Sequence, residues 1–414
     1  MKKFISALLC VSSFSFASMI GLDAIGQEQI AGGSAAMAGR GFAGNAKTGD
    51  IEGISTVNPA RQAFDTKVSL NLNFLLDVST ADRSNSHFTK TDISMPSMNL
   101  TFPMGDFGTF GVSLWQHYSA SMRETLEDEK EQWNAEIEYQ SSIYELVPTY
   151  AIRLPFLRMV SLGASAHFVM GSFTRSLTLG ADNSGIAKED AWATSDVDLS
   201  DYVHGDWDIK HHPAYYSFAV QYRGRMASYF FSFTTPYTLS NTLDYNFRFS
   251  ELDTLAPTRK TREIRIPAML ATGVNYRINK RHNVMADVAW RAWNRDIDNV
   301  AGSWNMTQMT KTQNDFNISV GYQRDGSDVF YDSYWDRMTY RAGAWYKNWY
   351  VEDVSEIGGA VGAGFPLGRR GTTLDLSIQG GVRLTDDDHN WSESFIGIRL
   401  GLVGVGSWGK ARGQ

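Results

Sequence analysis

The feature that most constrains this chain is a two-residue alternation of apolar and polar side chains, sustained in segments too long for an ordinary sheet. Residues Val68 to Phe74 read Val-Ser-Leu-Asn-Leu-Asn-Phe, and the pattern carries on through Leu76 and Val78. Leu374, Leu376, Ile378, Val382 and Leu384 alternate with Thr373, Asp375, Ser377, Gln379 and Arg383. Phe316, Ile318, Val320 and Tyr322 repeat it, as do Ile396, Ile398, Leu400 and Leu402. A strand sends successive side chains to opposite faces, so each segment has one greasy face and one wet face. Segments of this kind lie near 67–78, 92–103, 108–119, 142–153, 159–172, 212–223, 226–238, 265–278, 283–295, 314–324, 338–350, 354–366, 370–384 and 393–405. A membrane-spanning strand tilted by ~45° needs ~9–11 residues, whereas strands of soluble sheets run about five or six. The reading is therefore all-β: a transmembrane antiparallel β-barrel of about fourteen strands.

The connections support it. Residues 102–108, 154–158, 223–226, 278–282 and 366–371 are tight, and polar links near 120–141, 180–210, 240–263 and 296–313 are long. Short turns on one side and long loops on the other are the layout of an outer-membrane barrel, and an even strand count puts both barrel ends on the short-turn side. The link at 325–337 breaks this rule, being long where a short turn is expected. Residues 1–17 read as a signal peptide: Lys2 and Lys3 precede an apolar run from Phe4 to Phe16, with Ser15-Phe16-Ala17 as the cleavage site. Residues 18–65 differ in texture, and the stretch Gly32 to Gly41 is small and not alternating, which suits either a periplasmic tail or a plug in the lumen. The barrel is placed at 66–408, followed by a short tail, 409–414. Export and barrel together predict the outer membrane of a Gram-negative cell.

Composition excludes several functions. Cys10, the only cysteine, falls inside the leader, so the mature chain has no disulfide, thiolate nucleophile or cysteine metal site. A formal charge of −7 without a basic block argues against nucleic acid. Residues 181–210 carry eight acids against two lysines, with Asp196, Asp198 and Asp201 among them, but their spacing matches no calcium motif. Asp386, Asp387 and Asp388 are read the same way, as a solvated loop, and His211-His212 is too little for a metal site. His117 and His167 fall on the polar phase of their strands, where a lumen hydrogen bond accounts for them. There is no Gly-x-Ser-x-Gly elbow or His-Glu-x-x-His helix. Neither an enzyme nor a cofactor or metal is expected. Trp290, Trp293, Trp345, Trp349, Trp391 and Trp408 cluster near strand ends, as an interfacial girdle would.

Several motifs, in order, resemble the FadL/TodX-type long-chain fatty-acid and hydrophobic-compound transport proteins of the outer membrane. They are Ala38-Gly39-Arg40-Gly41-Phe42-Ala43-Gly44 followed by Asn58-Pro59-Ala60, then Ile266-Pro267-Ala268-Met269 with Gly273 and Tyr276, then Asp287 to Trp293. Tyr340 to Tyr346, Val361 to Leu367 and Glu393 to Trp408 continue the likeness. The resemblance implies a monomeric fourteen-stranded barrel with an N-terminal lumen plug and uptake of fatty acids or other small hydrophobic molecules. Gly39, Arg40, Gly41, Phe42, Gly44, Asn58, Pro59 and Ala60 are then plug or gate residues. A fatty acid would also need a cation for its carboxylate. Arg277, Arg383 and Arg399 lie on the polar phase and are the candidates, unless they pair with acids such as Asp287 or Asp375. Other expected partners are membrane lipid, lipopolysaccharide and the barrel-assembly machinery. A similar barrel serves type IX secretion as a docking shuttle, which is the alternative function.

Overall fold

The computed structural model describes residues 27–29, 33–49, 52–83, 86–128, 133–181, 202–209, 214–248, 255–293, 312–329, 331–367, 371–385 and 391–406. The expected leader, the tail after 406, the acidic cluster at 196–201, Asp386 to Asp388 and His211-His212 lie outside them, and so does most of the link at 296–313.

Fourteen staves close on themselves, each antiparallel to its neighbours. In order they are β2 (Val68–Arg83), β3 (Ser86–Pro103), β4 (Thr109–Asp128), β5 (Trp133–Arg153), β6 (Val160–Ala181), and β7 (Tyr202–Ile209) continued by β8 (Ala214–Arg223). Next come β9 (Ala227–Thr234) continued by β10 (Tyr237–Arg248), β11 (Leu255–Ile266) continued by β12 (Met269–Arg277), and β13 (His282–Arg291). The circuit ends with β14 (Asp315–Arg324), β15 (Thr339–Asn348), β16 (Val354–Leu367), β17 (Thr372–Thr385) and β18 (Trp391–Gly406). Strand β18 pairs β2 from Trp391 opposite Arg83 to Gly406 opposite Val68, which closes the cylinder. The two interruptions at Thr235-Pro236 and Pro267-Ala268 face each other, between the pairs Thr234–Met269 and Tyr237–Ile266. Proline has no N–H for the ladder, so both strands break at one level.

The alternation sets which face is which. Along β8, Tyr216, Phe218, Val220 and Tyr222 point outward and are exposed, while Tyr215, Ser217, Ala219 and Gln221 point inward and are buried. The same holds on β18, where Ile396, Ile398, Leu400 and Leu402 face out and Arg399 faces in. The molecule is thus inverted relative to a water-soluble protein, with polar side chains inside and an apolar belt outside that needs hydrocarbon to cover it. No helix among the described residues is long and apolar enough to cross a membrane, which says nothing of a β-barrel.

Two expectations are corrected here. Much of what reads as long loops is strand: β4 and β5 extend through 120–128 and 133–141, and β7, β10 and β11 occupy 202–209, 240–248 and 255–263. Beyond the apolar belt both faces of a strand meet polar surroundings, so the alternation fades although the ladder continues. The supposed girdle also divides. Trp290 is partly exposed, but Trp293, Trp345 and Trp349 are buried, and Trp345 points into the lumen, where its Nε1 donates to Glu356.

The anomalous link at 325–337 is described at all but residue 330. It holds a one-turn helix, α2 (Tyr334–Arg337), capped by Ser333, whose Oγ accepts from the Asp336 amide. The Ser333 hydroxyl and the Arg324 guanidinium hold the exposed Asp336 carboxyl below its ordinary range. Asp325, where the link begins, accepts from Gln323 and Asn283 and forms an ion pair with Lys47 of the N-terminal segment. The extra length therefore ties the short-turn end of the barrel to the chain inside it.

Candidate functional site

Residues 33–49 and 52–64 occupy the lumen, and nearly all of them are buried. A single helical turn, α1 (Ala35–Ala38), lies against β16, β17 and β18 and is capped by Ser34, whose Oγ accepts from the Met37 amide. The Ala35 amide donates to Asn73 Oδ1 on β2 at 3.0 Å. Backbone then meets backbone. Gly41, at φ +63°, lies so close to Ala344 that a Cβ would be 2.4 Å from the Ala344 nitrogen. A Cβ on Gly343 would be 2.0 Å from the Arg40 carbonyl oxygen. Gly39 meets the Gly362 Cα in the same way, so glycines of the segment face glycines of β15 and β16.

The polar groups of the segment are bound with equal completeness. Arg40 is fully buried, forks onto both oxygens of Glu52 and also donates to Gln323 at 2.6 Å. Asp287 of β13 accepts from the amides of Gly44 and Asn45 at 2.8 Å and from Asn45 Nδ2 at 3.0 Å. Asn58 donates to Asn45 O and to Gln221 Oε1, while Gln221 donates to Ala46 O. Pro59 opens a six-residue 3-10 turn, and Ser161 Oγ donates to Ala60 O. Phe42, at φ +66°, packs edge-on against Trp345 with the Arg399 guanidinium over its ring. The eight residues named from sequence as plug or gate, Gly39 to Phe42, Gly44 and Asn58 to Ala60, lie buried in the lumen.

The three candidate arginines separate. Arg277 is exposed where β12 ends at a short turn, away from the lumen interior. Arg383 is buried between Glu356 at 2.8 Å and Glu393 at 2.9 Å. Arg399 donates to Gln379 and to the Gly33 carbonyl, so it holds the N-terminal segment. Neither pairs with the acids considered from sequence, because Asp375 is taken by Arg341 at 2.6 Å and Asp287 by Gly44 and Asn45.

Above this segment lies a polar network that the sequence reading largely missed. Glu145, fully buried on β5, accepts from Tyr215, is hydrogen-bonded to His167 Nδ1 at 2.9 Å and binds His117 Nδ1. His167 Nε2 meets Ser217 Oγ at 2.9 Å. This is the connectivity of a nucleophile, a base and an orienting group. However, Glu145 serves two histidines and a tyrosine at once, and Ser217 is shared with Thr234 at 2.8 Å. Ser217 is also flanked in the sheet by Ser165 and Thr234, so its backbone is engaged in the ladder. One signal was legible: Glu145 is a lone carboxylate on the inward phase Val147, Thr149 and Ala151. No group of three or more histidines and acids among the described residues is placed to hold a metal.

A short strand completes the site. β3 pairs β4 only from Ser97–Trp115 to Pro103–Thr109. Above that level β1 (Gln27–Glu28) takes the freed edge of β4, opposite Ser119 and Tyr118. Glu28 lies 2.8 Å from Arg291, 3.1 Å from His117 Nε2 and 3.5 Å from Lys347. Arg291, Lys347 and His117 thus surround its carboxylate with cationic groups. Beside it opens a cavity of about 730 Å³. Phe42, Val57, Trp115, Phe230, Met269 and Ala271 form its apolar wall, and Glu28, Arg291, Asp315 and Lys347 its charged end. A second cavity of about 400 Å³ lies toward Trp345, Glu356 and Arg383, and Glu28, Gln29 and Phe42 line both.

These features define a class: closed antiparallel barrels of fourteen strands with their own N-terminal segment packed inside. The family follows from sequence. The BamG family model matches residues 12–412, nearly the whole length, and the chain belongs to the BamG family. This corrects the family resemblance drawn from sequence, since BamG is a different family from the FadL-type proteins. The likeness to the latter is one of fold. A FadL homologue of Pseudomonas aeruginosa aligns with TM-score 0.58 at 14% identity, over 91% of this chain and 98% of that one. The toluene transporter TodX of Pseudomonas putida gives 0.56 at 13%, over 91% and 98%. The toluene transporter TbuX of Ralstonia pickettii gives 0.54 at 13%, over 90% and 98%. No curated protein matches the chain in sequence.

Proposed function

We propose that the barrel sits in the outer membrane of a Gram-negative cell and takes up small hydrophobic compounds, fatty acids among them, through a lumen gated by its N-terminal segment. The observation that carries this reading is the cavity inside the cylinder, bounded by that segment and walled by Phe42, Trp115, Phe230 and Met269. It combines an apolar wall with a few convergent polar groups, as small-molecule sites do. Trp115 Nε1 and Asp315 Oδ1, both on its lining, have no hydrogen-bond partner among the described residues. The fold likeness to channels for toluene adds support, and none of the neighbours cited is an enzyme. In this reading the leader is removed after Ala17, the assembly machinery inserts the chain, and the barrel works as a monomer among lipid and lipopolysaccharide.

The test is ligand retention with uptake. Barrel purified in a short-tailed detergent is extracted and its lipids identified by mass spectrometry, and uptake of labelled oleate is compared in cells with the full chain, without it and with residues 19–57 deleted. Co-purified apolar ligand and saturable uptake that the deletion alters are expected. An empty barrel with no difference in uptake would overturn the proposal. One observation favours a second reading: β4, β5 and β6 run 20, 21 and 22 residues, about twice the span of a bilayer. Such a raised rim suits docking of a secreted protein, and retention of a cargo domain by cells lacking uptake would select that reading.

A further inference from the structure

Tyrosines mark a level on the outside of the cylinder near its short-turn end. Tyr150, Tyr222, Tyr229, Tyr276 and Tyr322 lie on the outward phase, within three residues of a strand end, and are 38–52% exposed. Outward aromatics of this kind sit at the headgroup level of a bilayer. The turns just beyond them, 154–159, 224–226 and 278–281, therefore stand at the depth of the lipid phosphates. These three turns are neighbours: the Arg223 amide donates to the Met159 carbonyl at 2.7 Å, and the Arg277 amide to the Met226 carbonyl at 2.6 Å. No Asp or Glu stands in 151–160, 221–228 or 276–283. Arg153, Arg158, Arg223, Arg225, Arg277 and Lys280 do, and among the described residues no carboxylate lies within ion-pair distance of them. Elsewhere the same rim carries acids, Asp106 on one turn and four aspartates in the link 325–337. Each turn of the basic arc also bares an apolar side chain. Phe156, 96% exposed, precedes Arg158; Met226, at 52%, follows Arg225; Ile278, at 53%, precedes Lys280.

We infer that this arc binds an anionic phospholipid of the leaflet on the short-turn side. The inference rests on the membrane placement proposed above and not on uptake. The phosphate of the lipid is held by Arg158, Arg225 and Lys280, and its chains lie along Tyr222, Tyr229 and Tyr276 toward the apolar belt. Arginine presents a planar fork that matches a phosphate, and two of these three cations are arginines. Arg153, Arg223 and Arg277 fall on the inward phase at the mouth of the lumen, where Arg223 lies over the Phe64 ring at 5.2 Å. They add positive potential without touching the lipid. A water-soluble acidic segment would answer the cations and leave Phe156 and Ile278 bare, whereas a phospholipid covers both.

The experiment offers the full-length barrel in detergent equal amounts of phosphatidylglycerol and phosphatidylethanolamine with the same chains, and reads the retained lipids by native mass spectrometry. Phosphatidylglycerol is expected to be retained in preference. Each cation near an anionic lipid contributes about fivefold, so R158Q, R225Q or K280Q alone should cut the preference about fivefold and the triple variant should remove it. Salt at about 1 M, which screens charges beyond ~3 Å, should erase most of it too. K67Q, an exposed cation off the arc, should leave the preference unchanged, and F156S should weaken both lipids alike. Heat-modifiable migration on a gel verifies that each variant is folded. Equal retention of the two lipids, or a triple variant that keeps the preference, would overturn the inference. Hexaglutamate and inorganic phosphate are then added as competitors, and neither should displace the lipid. Displacement by the peptide would assign the arc to an acidic protein instead, and displacement by phosphate alone would reduce it to a simple anion site. Oleate uptake reads the lumen and not the rim, so failure here leaves the uptake reading intact, and failure of uptake leaves this one intact.

Discussion

Two residues govern whether the N-terminal segment can sit where it does. Gly343 lets the Arg40 carbonyl lie directly against the wall, and the contact is backbone to backbone, so nothing flexible can yield. Gly343→Ala should expel the segment at that point or displace the strand, at about 1–3 kcal/mol by the usual cost of overpacking. A cysteine introduced at Ser55, now buried, would report this through faster thiol labelling, and unchanged labelling would show the contact to be slack. Arg40 is a different case, since its fork onto Glu52 is wholly desolvated and Arg61 reaches the same carboxylate only at 3.6 Å. Arg40→Met removes one partner of a buried pair, an error that costs about 3–5 kcal/mol. The loss should appear as a lower unfolding temperature, restored in part by Glu52→Gln in the same chain. The pattern Gly-x-Gly was visible in the sequence. What each glycine faces was not, because Gly343 and Arg40 are about three hundred positions apart.

At the scale of elements, alternation marked every stave but cut several of them short. It reports a strand between two different solvents, so it identified β2, β14, β17 and β18 well and lost β4, β5, β10 and β11 beyond the apolar belt. Ile398 faces outward mid-strand, 41% exposed without lipid. Ile398→Arg should cost about 2–4 kcal/mol in a bilayer. Met104→Arg on a short turn should stay within about 0.5 kcal/mol. Equal effects in a urea unfolding series would contradict the assignment of that face. The turn bearing α2 carries a pH signature. Because the Asp336 carboxyl is held below its ordinary 3.8, its support is complete at neutral pH and is lost only as pH falls below that value. Amide protection at residues 334–337 should therefore persist at pH 5 and drop only below pH 3.8, and Asp336→Asn should abolish the change.

For the whole molecule, the filled lumen predicts little conductance in a planar bilayer. Deletion of residues 19–57 should open a cylinder lined by Ser, Asn, Gln and charged pairs and raise conductance several-fold. A deletion variant that folds yet conducts no better would mean that the lumen is closed by something other than this segment. By itself the sequence determined the barrel, its fourteen staves and, along the regular stretches, which face is wet and which is apolar, because a period of two separates two different surroundings. It also marked residues 39–44 and 58–60 as foreign to the wall. Tertiary structure alone decided the rest. That Glu28 meets Arg291 and Lys347, that Glu145 gathers His117, His167 and Tyr215, and that Arg399 serves the segment rather than a ligand all follow from closure of the cylinder. Closure brings together inward residues from strands far apart in the chain, and inward phase alone does not say which of them will touch.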